Sequence, residues 1–511
     1  MYSYIIKLAH GFVLIPTILA FKHKKIFTSL KKPQTIDQLA KSAKLNPGYL
    51  LAGLNLLSVF SIVNRKGNIF HYQKKHPLVN SLDKKYITFY NQDFKNLIFN
   101  KKKQKIFEKF SKKLSNGWRI KGIDNQIIDG CFLIPLIFSL NLNKKINILN
   151  NKKFSIISNF LYKKKLVKFD GKKFVYSSAG LYLVNNIKII GVTASYRNML
   201  LNYENLLSGN PKKFFKINNN KETHIDRNLN IESSSRQHEK YFNRILKIIE
   251  RIFKRKEIPL YIMDVGCGDG LLLKKIYFHL KKILKKKIIK KIKLIGIDLN
   301  KISINTAKNN LPKSKTILIQ ESIDNPKKIF NFLNSKKILK DQILQVRSFV
   351  DHEREIFAEE SEFFIKDRFL DINDRDVISI GKKGELFNSK IINQTLNNYY
   401  KKWSKFIGKF GIINLEVHKQ SLREMKNNLD LNEGVHFDFI QSLSRQNLCK
   451  AKTQIYCMVI NNLRPKIIET YPINTKFVRI ILGYYIKQIF TSRDKKKFFH
   501  DSVKFLKKSN K

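Results

Sequence analysis

The sequence predicts an α/β protein whose C-terminal half is an open, largely parallel sheet and whose N-terminal half is mostly helical. Three observations carry this. An apolar strand over 260–265 runs into a glycine-rich loop and then a helix; further apolar strands follow with helical stretches between them; and two helix–turn–hairpin patterns come before the first of these strands. At 511 residues the chain is too long for one core, so several domains are expected. The boundaries read as a helical and winged-helix module over 1–90, a second over 91–208, a linker and lid helix over 209–250, a sheet domain over 251–490, and a basic, frayed tail over 491–511.

The N-terminal elements follow from local chemistry. The apolar run 12–21 is too short to span a bilayer and contains Pro16, so it reads as a buried helix. Thr35-Ile-Asp-Gln38 has the form of a capping box and starts a helix, whose apolar stripe continues through Leu39 and Ala43. Asn46-Pro47-Gly48 breaks it. Leu50, Leu51, Leu54, Leu57 and Val59 mark a second helix at helical spacing, and Ile62-Val63 and Ile69-Phe70 flank the turn Lys66-Gly67-Asn68. Helix, helix and wing make a winged-helix pattern. A weaker copy lies at 152–184, with a helix over 154–162 and strands over 166–169 and 174–176 around Asp170-Gly171-Lys172.

Winged helices often read DNA, but the helix before the first wing has only Asn55 and Ser58 as polar interruptions over 50–60. It offers little to base edges, and a dimer or domain interface suits it better. Residues 209–235 are polar and turn-rich and read as a connection, followed by a helix over 238–253.

The net charge is +60, with 82 Lys but only 17 Arg among 99 basic residues. The lysines run along the whole chain, together with abundant Ile, Asn and Phe and scarce Gly and Pro. That joint bias reads as compositional drift rather than a nucleic-acid surface, since phosphate readers lean on the arginine fork. Cys131, Cys267, Cys449 and Cys457 form no C-x-x-C pair, which points away from a disulfide framework and toward a reducing, cytoplasmic compartment. No apolar run elsewhere is longer than the N-terminal one, so no membrane partner is expected.

The chemistry concentrates after residue 260. Asp264-Val-Gly-Cys-Gly-Asp-Gly270 closes the first strand and opens a helix, and glycines there let backbone approach a ligand. The spacing is D-x-G-x-G-x-G, not the G-x-G-x-x-G of dinucleotide sites. The next strand, Lys293-Leu-Ile-Gly-Ile-Asp298, ends in a carboxylate suited to a pair of ribose hydroxyls. The interval from the loop is lengthened by the lysine-rich stretch 281–292.

Two histidines fall at later strand ends. A fourth strand over 343–349 leads into Val350-Asp351-His352-Glu353-Arg354, and a fifth over 411–417 leads into His418, with an amphipathic helix over 391–410 between them. Ligands of open α/β sheets sit at these carboxyl ends. His352 and His418 are therefore catalytic candidates, with Asp351 a candidate to orient His352. A helix over 452–463 and a strand pair over 467–471 and 477–485 complete the sheet.

The loop 264–270 with Asp298 resembles class I S-adenosylmethionine (SAM)-dependent methyltransferases, which implies a Rossmann-like, seven-stranded domain. More specifically, Leu45-Asn-Pro-Gly-Tyr-Leu50, Gly191-Val-Thr-Ala-Ser-Tyr196, Arg347-Ser-Phe-Val-Asp-His352, Leu415-Glu-Val-His418 and Ser442-Leu-Ser-Arg-Gln446 resemble polyketide-associated methyltransferases that carry an N-terminal helical and winged-helix region. That resemblance implies methyl transfer to a small acyl substrate, commonly on an acyl-carrier protein. It implies SAM contacts from Asp264, Gly266, Cys267, Gly268, Gly270, Asp298, Leu299, Glu321 and Ser322. Some relatives hold one iron or manganese ion, for which His418 and Gln446 would be the ligands. Two positions depart from the pattern: Gln441 stands where a histidine is expected, and Glu321-Ser322 where Gly-Asp is expected. Alternatives are an RNA methyltransferase, which would gather Lys and Arg at the cleft mouth, and a DNA-binding regulator with a degenerate methyltransferase domain. A homodimer is compatible with the apolar N-terminal module.

Overall fold

The structure is a computed structural model and describes residues 1–72, 76–82, 90, 105, 107–108, 125–142, 146–215, 217–218, 221–356, 374, 376–472 and 478–508. The chain forms two compact units. The first holds Met1–Ser234 with Lys382–Leu386 and Leu422–Ser444; the second holds Ser235–Gly381, Phe387–Ser421 and Arg445–Lys511. The first unit is thus discontinuous in sequence, where the sequence reading runs one domain through 251–490. The boundary read at 90–91 adjoins residues outside the described ones.

In the first unit, helices Tyr2–His23 and Asn125–Leu140 cross with their backbones in contact. A Cβ on Gly11 would meet the Ile127 carbonyl oxygen at 1.4 Å, and one on Gly130 the Leu8 oxygen at 1.8 Å. Glycine is the residue that permits this approach. The first helix extends well beyond the apolar run 12–21. At 22 residues it is long and apolar enough to cross a membrane by length and composition, yet 89% of its most apolar window is buried inside the protein. The capping box of Thr35 and Gln38 is formed. The first wing differs from the reading: its strands are Asn64–Lys66 and Ile69–His71, and Gln34–Thr35 adds a third, pairing with Ile69–His71. Ile62 and Val63 are instead core residues ahead of the wing.

Helix Pro47–Val59 is covered by its own unit: Tyr203 donates its hydroxyl to the Tyr49 carbonyl at 2.7 Å and packs edge-on against Phe439. The later module has helix Ser155–Lys163 and the hairpin Val167–Phe169/Phe174–Tyr176.

The connection read at 209–235 holds a short helix Pro211–Phe214 and a small strand pair, and becomes long helix from Arg227. Helix Arg227–Phe253 begins well before the predicted 238, capped by the Asp226 carboxylate, which accepts from the Leu229 amide at 3.1 Å. Ser233 is fully buried, and a Cβ on Gly191 would lie 2.0 Å from its hydroxyl oxygen. Its polarity misled because its small size is what the contact uses.

The second unit is a seven-stranded sheet. Its strands are β1 (Tyr261–Val265), β2 (Lys293–Asp298), β3 (Thr316–Gln320), β4 (Ile343–Ser348), β5 (Ile412–Val417), β6 (Leu463–Tyr471) and β7 (Ile480–Lys487). The order is β3-β2-β1-β4-β5-β7-β6, with β7 antiparallel to its neighbours. This is a Rossmann-like sheet with its order reversing between β1 and β4, so ligands belong outside the carboxyl ends of β1 and β4. The predicted start of the last strand, Phe477, lies outside the described residues. Flanking helices are α1 (Leu271–Ile283), α2 (Lys301–Asn310), α3 (Pro326–Ser335), α4 (Ser389–Ser404), α5 (Ala451–Ile460) and α6 (Ser492–Lys508). One face buries Ile262, Leu294, Leu344 and Ile413 against α1 and the end of helix Arg227–Phe253; the other buries Met263, Ile295, Ile343 and Ile412 against α3, α4 and α5. The tail read as frayed is α6. Phe499, 1% exposed, packs edge-on against Tyr456 of α5, so an apolar anchor outweighs the lysine repulsion around it.

Candidate active site

The glycine loop is shaped by positive φ. Gly266, Gly268 and Gly270 have φ of 79°, 54° and 78°, a region that costs any residue with a Cβ. They differ in what a side chain would meet. A Cβ on Gly266 would press on Val350 at 2.5 Å and one on Gly270 on Leu311 at 2.9 Å, whereas Gly268 faces open space. Gly268 is thus where a ligand can reach backbone. Its amide donates to Asp298 Oδ2 at 3.0 Å, while Asp298 Oδ1 accepts from the Asn300 amide at 2.8 Å. The loop and the β2 carboxylate are therefore one unit. Gly270 caps α1, and Asp269 accepts from the Leu271 amide at 3.0 Å.

Asp264 is 2% exposed and its Oδ1 lacks a hydrogen-bond partner. Burial, helped by the nearby charges of Asp298 and Asp269, pushes its carboxyl up to about 8. Burial likewise raises the Cys267 thiol, which disfavours its thiolate. Leu299 is 67% exposed beside Asp298. Glu321 is turned away from a free role: it pairs with Lys328 at 2.5 Å and accepts from the Ser322 amide and Asn325. Ser322 accepts from the Asp324 amide at 3.1 Å.

After β4 the chain turns sharply. Phe349 has φ of 56°, an outlier for an aromatic residue, and its ring stacks on His238 with centroids 4.1 Å apart. Val350 then rests on Gly266, which ties the His352 turn to the glycine loop. His352 is buried, and its Nδ1 lies 2.7 Å from Glu416 Oε1 on β5. The same carboxylate accepts from the amides of Asp351 and Val417, each at 2.7 Å, an acceptor arrangement that favours the His352 tautomer with its proton on Nδ1. Burial lowers the His352 pKa, but the charge and hydrogen bond of Glu416 outweigh it and hold it above the usual value. Nε2 is left as the basic nitrogen.

The orienting group is therefore Glu416, not Asp351. Asp351 is the centre of a separate buried network: it accepts from Arg347 at 3.2 Å, Tyr399 at 2.7 Å, Tyr400 at 2.5 Å and Asn414 at 2.6 Å. Trp403 covers the Arg347 guanidinium at 3.9 Å. Burial raises the Asp351 carboxyl, but Arg347 and the two tyrosines outweigh it and hold it below the usual range. Asp351→Ala leaves Arg347 buried and uncompensated, and thermal or denaturant unfolding should show a loss of about 3–5 kcal/mol. A loss below about 1 kcal/mol would mean the network contributes no such anchoring.

His418 is fully buried at the end of β5, with the Cys449 backbone carbonyl beside its ring. Its backbone is clamped by Arg479, which accepts from the His418 amide at 2.7 Å and donates Nη1 to its carbonyl at 2.6 Å. Burial, then the Arg479 charge, lowers its ring pKa to about 3. It stays neutral and weakly basic.

The metal reading does not fit these residues. Among the described residues no three of His, Cys, Asp and Glu gather as a metal site, and Gln446 donates its Nε2 to Glu353. A protein-held transition ion ordinarily takes at least three protein donors.

Sequence reasoning missed Glu416, His238, Arg347 and the tyrosines Tyr399 and Tyr400. A signal was present. Strand β5 is buried along its whole length, yet Asn414 and Glu416 alternate with Ile413 and Leu415. On β4, Gln345 and Arg347 do the same, and Arg347 pairs in register with Asn414. A period-two polar stripe inside a fully buried strand marks a buried network.

The strand order, with β7 antiparallel between β5 and β6, and the glycine loop at the end of β1 are those of a Rossmann-like methyltransferase domain. The chain belongs to the AprA MT2-like methyltransferase family, whose model matches residues 222–483. Residues 129–210 match the AprA winged helix domain and residues 1–65 the AprA N-terminal domain. The first of the two winged-helix readings thus falls largely within an N-terminal domain of its own family. No curated protein matches the chain in sequence. Among solved structures it is similar to the CurJ carbon methyltransferase (8% identity, TM-score 0.43, 95% of this chain and 92% of that one). It is also similar to an O-methyltransferase family 2 protein from Planctomyces limnophilus DSM 3776 in complex with apigenin (10%, 0.39, 95% and 96%). A third similar structure is the citrinin polyketide synthase CMeT domain (11%, 0.35, 77% and 97%).

Proposed function

We propose that this methyltransferase binds SAM at the loop 264–270 and methylates a polyketide-type or other small acyl substrate of specialised metabolism, delivered on an acyl-carrier protein in the cytoplasm. The observation that carries the reading is the His352–Glu416 pair held against the SAM-type loop through Val350 and Gly266. In this reading Asp298 takes the ribose hydroxyls, the Gly268 backbone takes the close approach, and Asp264 faces the amino-acid end. When bound, SAM supplies an electrophilic methyl group on a sulfonium. His352 Nε2 removes a proton from the acceptor carbon or oxygen, and Glu416 stabilises the imidazolium that results. His418, neutral at any working pH, suits a hydrogen-bonding rather than a basic role. No step is routed through a metal.

The test is incubation with SAM and acyl groups on a carrier protein or on a small thioester, read by a gain of one methyl mass. Product from neither would remove the acyl reading; product from the thioester alone would remove the carrier.

Asp264 supplies an independent check on the cofactor assignment. With its carboxyl at about 8 it is mostly protonated at pH 7 in the free protein. An ammonium placed beside it favours the anion, so SAM binding releases a proton and tightens as pH rises toward 8. Calorimetry in two buffers of different ionisation enthalpy should give close to one proton released per SAM near pH 7. Zero release would place the ammonium elsewhere.

The RNA alternative asks for cations at the cleft mouth. The segments 264–270, 298–300, 321–325, 349–356 and 416–421 at the strand ends instead hold nine acids and two basic residues. That disfavours RNA as the methyl acceptor.

A further inference from the structure

The lysines of the second unit are segregated. The five segments that lead into the amino ends of β1, β2, β3, β4 and β5, taken with the adjoining helix and strand ends, span 254–260, 281–293, 312–315, 335–342 and 405–411. They hold 18 Lys and Arg against two acids. Compositional drift would add lysine to both ends of the sheet, yet the carboxyl ends are acidic.

These loops form one surface. Strand register aligns Tyr261 with Lys293, Leu294 with Thr316 and Ile343 with Tyr261, so the starts of the strands share an edge. Lys315 donates to the Lys290 carbonyl at 2.6 Å, Lys340 to the Lys405 carbonyl at 3.2 Å, and the Lys409 amide to Asp341 at 3.0 Å. Lys409 also pairs with Glu257. Both acids of the edge are thereby engaged, and Lys285, Lys286, Lys287, Lys290 and Lys291 are exposed with no acid among them. Five strands make an edge about 19 Å wide.

Apolar side chains stand among these cations. Ile283 at the end of α1 is 41% and Leu339 57% exposed within these segments, and Phe278 of α1 and Phe332 of α3 are 47% and 40% exposed on the flanking helices. Of the 18 basic residues only Arg255 is an arginine. A nucleic acid rewards the arginine fork and gains little from exposed aliphatics. An anionic bilayer rewards compact lysine charge together with side chains that enter the interface. A carrier protein docked here would be about 17–20 Å, one strand length, from the end where the chemistry lies.

We propose that this lysine edge is a docking surface for an anionic lipid bilayer, which holds the enzyme peripherally with its active-site end turned away from the membrane. The proposal does not depend on the acyl substrate.

The test is co-flotation of the full chain with vesicles of phosphatidylcholine containing one-third phosphatidylglycerol, and with vesicles of phosphatidylcholine alone. Binding to the first and not the second, lost at several-fold higher salt, is expected. Replacing Lys285, Lys286, Lys287, Lys290 and Lys291 together by Glu should lower partition on the order of a hundred-fold or more, since each lysine near such a surface changes it roughly five-fold. Ile283→Asp with Leu339→Asp should lower it too, and this pair leaves the lysines untouched should the first variant fail to fold. Each variant is checked for folding by its thermal melt. The proposal is overturned if the wild type stays off anionic vesicles at low salt, or binds both vesicle types alike. It is also overturned if folded variants bind as wild type does, or if poly(U) captures the chain and vesicles do not.

Discussion

If His352 is the general base proposed above, His352→Gln should lower the rate of methyl transfer by roughly 10²–10⁴-fold and leave SAM affinity unchanged, since the substitution does not touch the glycine loop. Single-turnover assays with SAM affinity measured alongside separate the two effects. The pH dependence follows from the pair's electrostatics. His352 acts as a base only when Nε2 is unprotonated, and Glu416 holds its pKa above the usual histidine value. The rate therefore rises with pH through that raised pKa and levels off above it. Glu416→Gln removes the charge that raises it, so the midpoint moves to lower pH while the plateau falls. A variant that only loosened the fold would lower the plateau and leave the midpoint in place. An unshifted midpoint would assign the base elsewhere. His418→Gln supplies the contrast: its ring titrates near 3 and contributes no limb to the profile.

The features legible in the sequence share a property: they are local. The capping box at Thr35, the glycine loop and the strand–loop–helix order around Asp298 are decided within a few residues of chain. So are the alternating apolar runs of the sheet. The missed features are contacts across the sheet. Asp351 was the natural orienter for His352 by proximity in sequence, but adjacent residues on a turn point apart. The partner comes from β5, with Glu416 on the strand neighbouring the one that delivers His352. The helix start at Arg227 was hidden for a different reason. Ser233 looks like loop chemistry, and only its contact with Gly191 explains a small residue inside a helix. The charge shows the same limit. Lysine content is visible from composition, whereas its segregation to one edge requires knowing which loops lie at which end of the strands.

Asp298→Ala should weaken SAM by roughly 10²–10⁴-fold, the loss of two hydrogen bonds to a charged acceptor at about 1.5–3 kcal/mol each. The same substitution also releases the Gly268 and Asn300 amides that Asp298 now holds, so a simple loss of affinity does not identify its cause. A cycle with a SAM analogue lacking both ribose hydroxyls separates the two contributions. If Asp298 binds the ribose, the wild type discriminates strongly between SAM and the analogue, and the variant discriminates little. If Asp298 serves only to hold the loop, the variant weakens both ligands alike and the discrimination persists. The geometry favours the first outcome: the Gly268 and Asn300 amides fix the Asp298 carboxylate beside Gly268, which faces open space. A carboxylate placed merely to rigidify the loop would leave no reason for that opening.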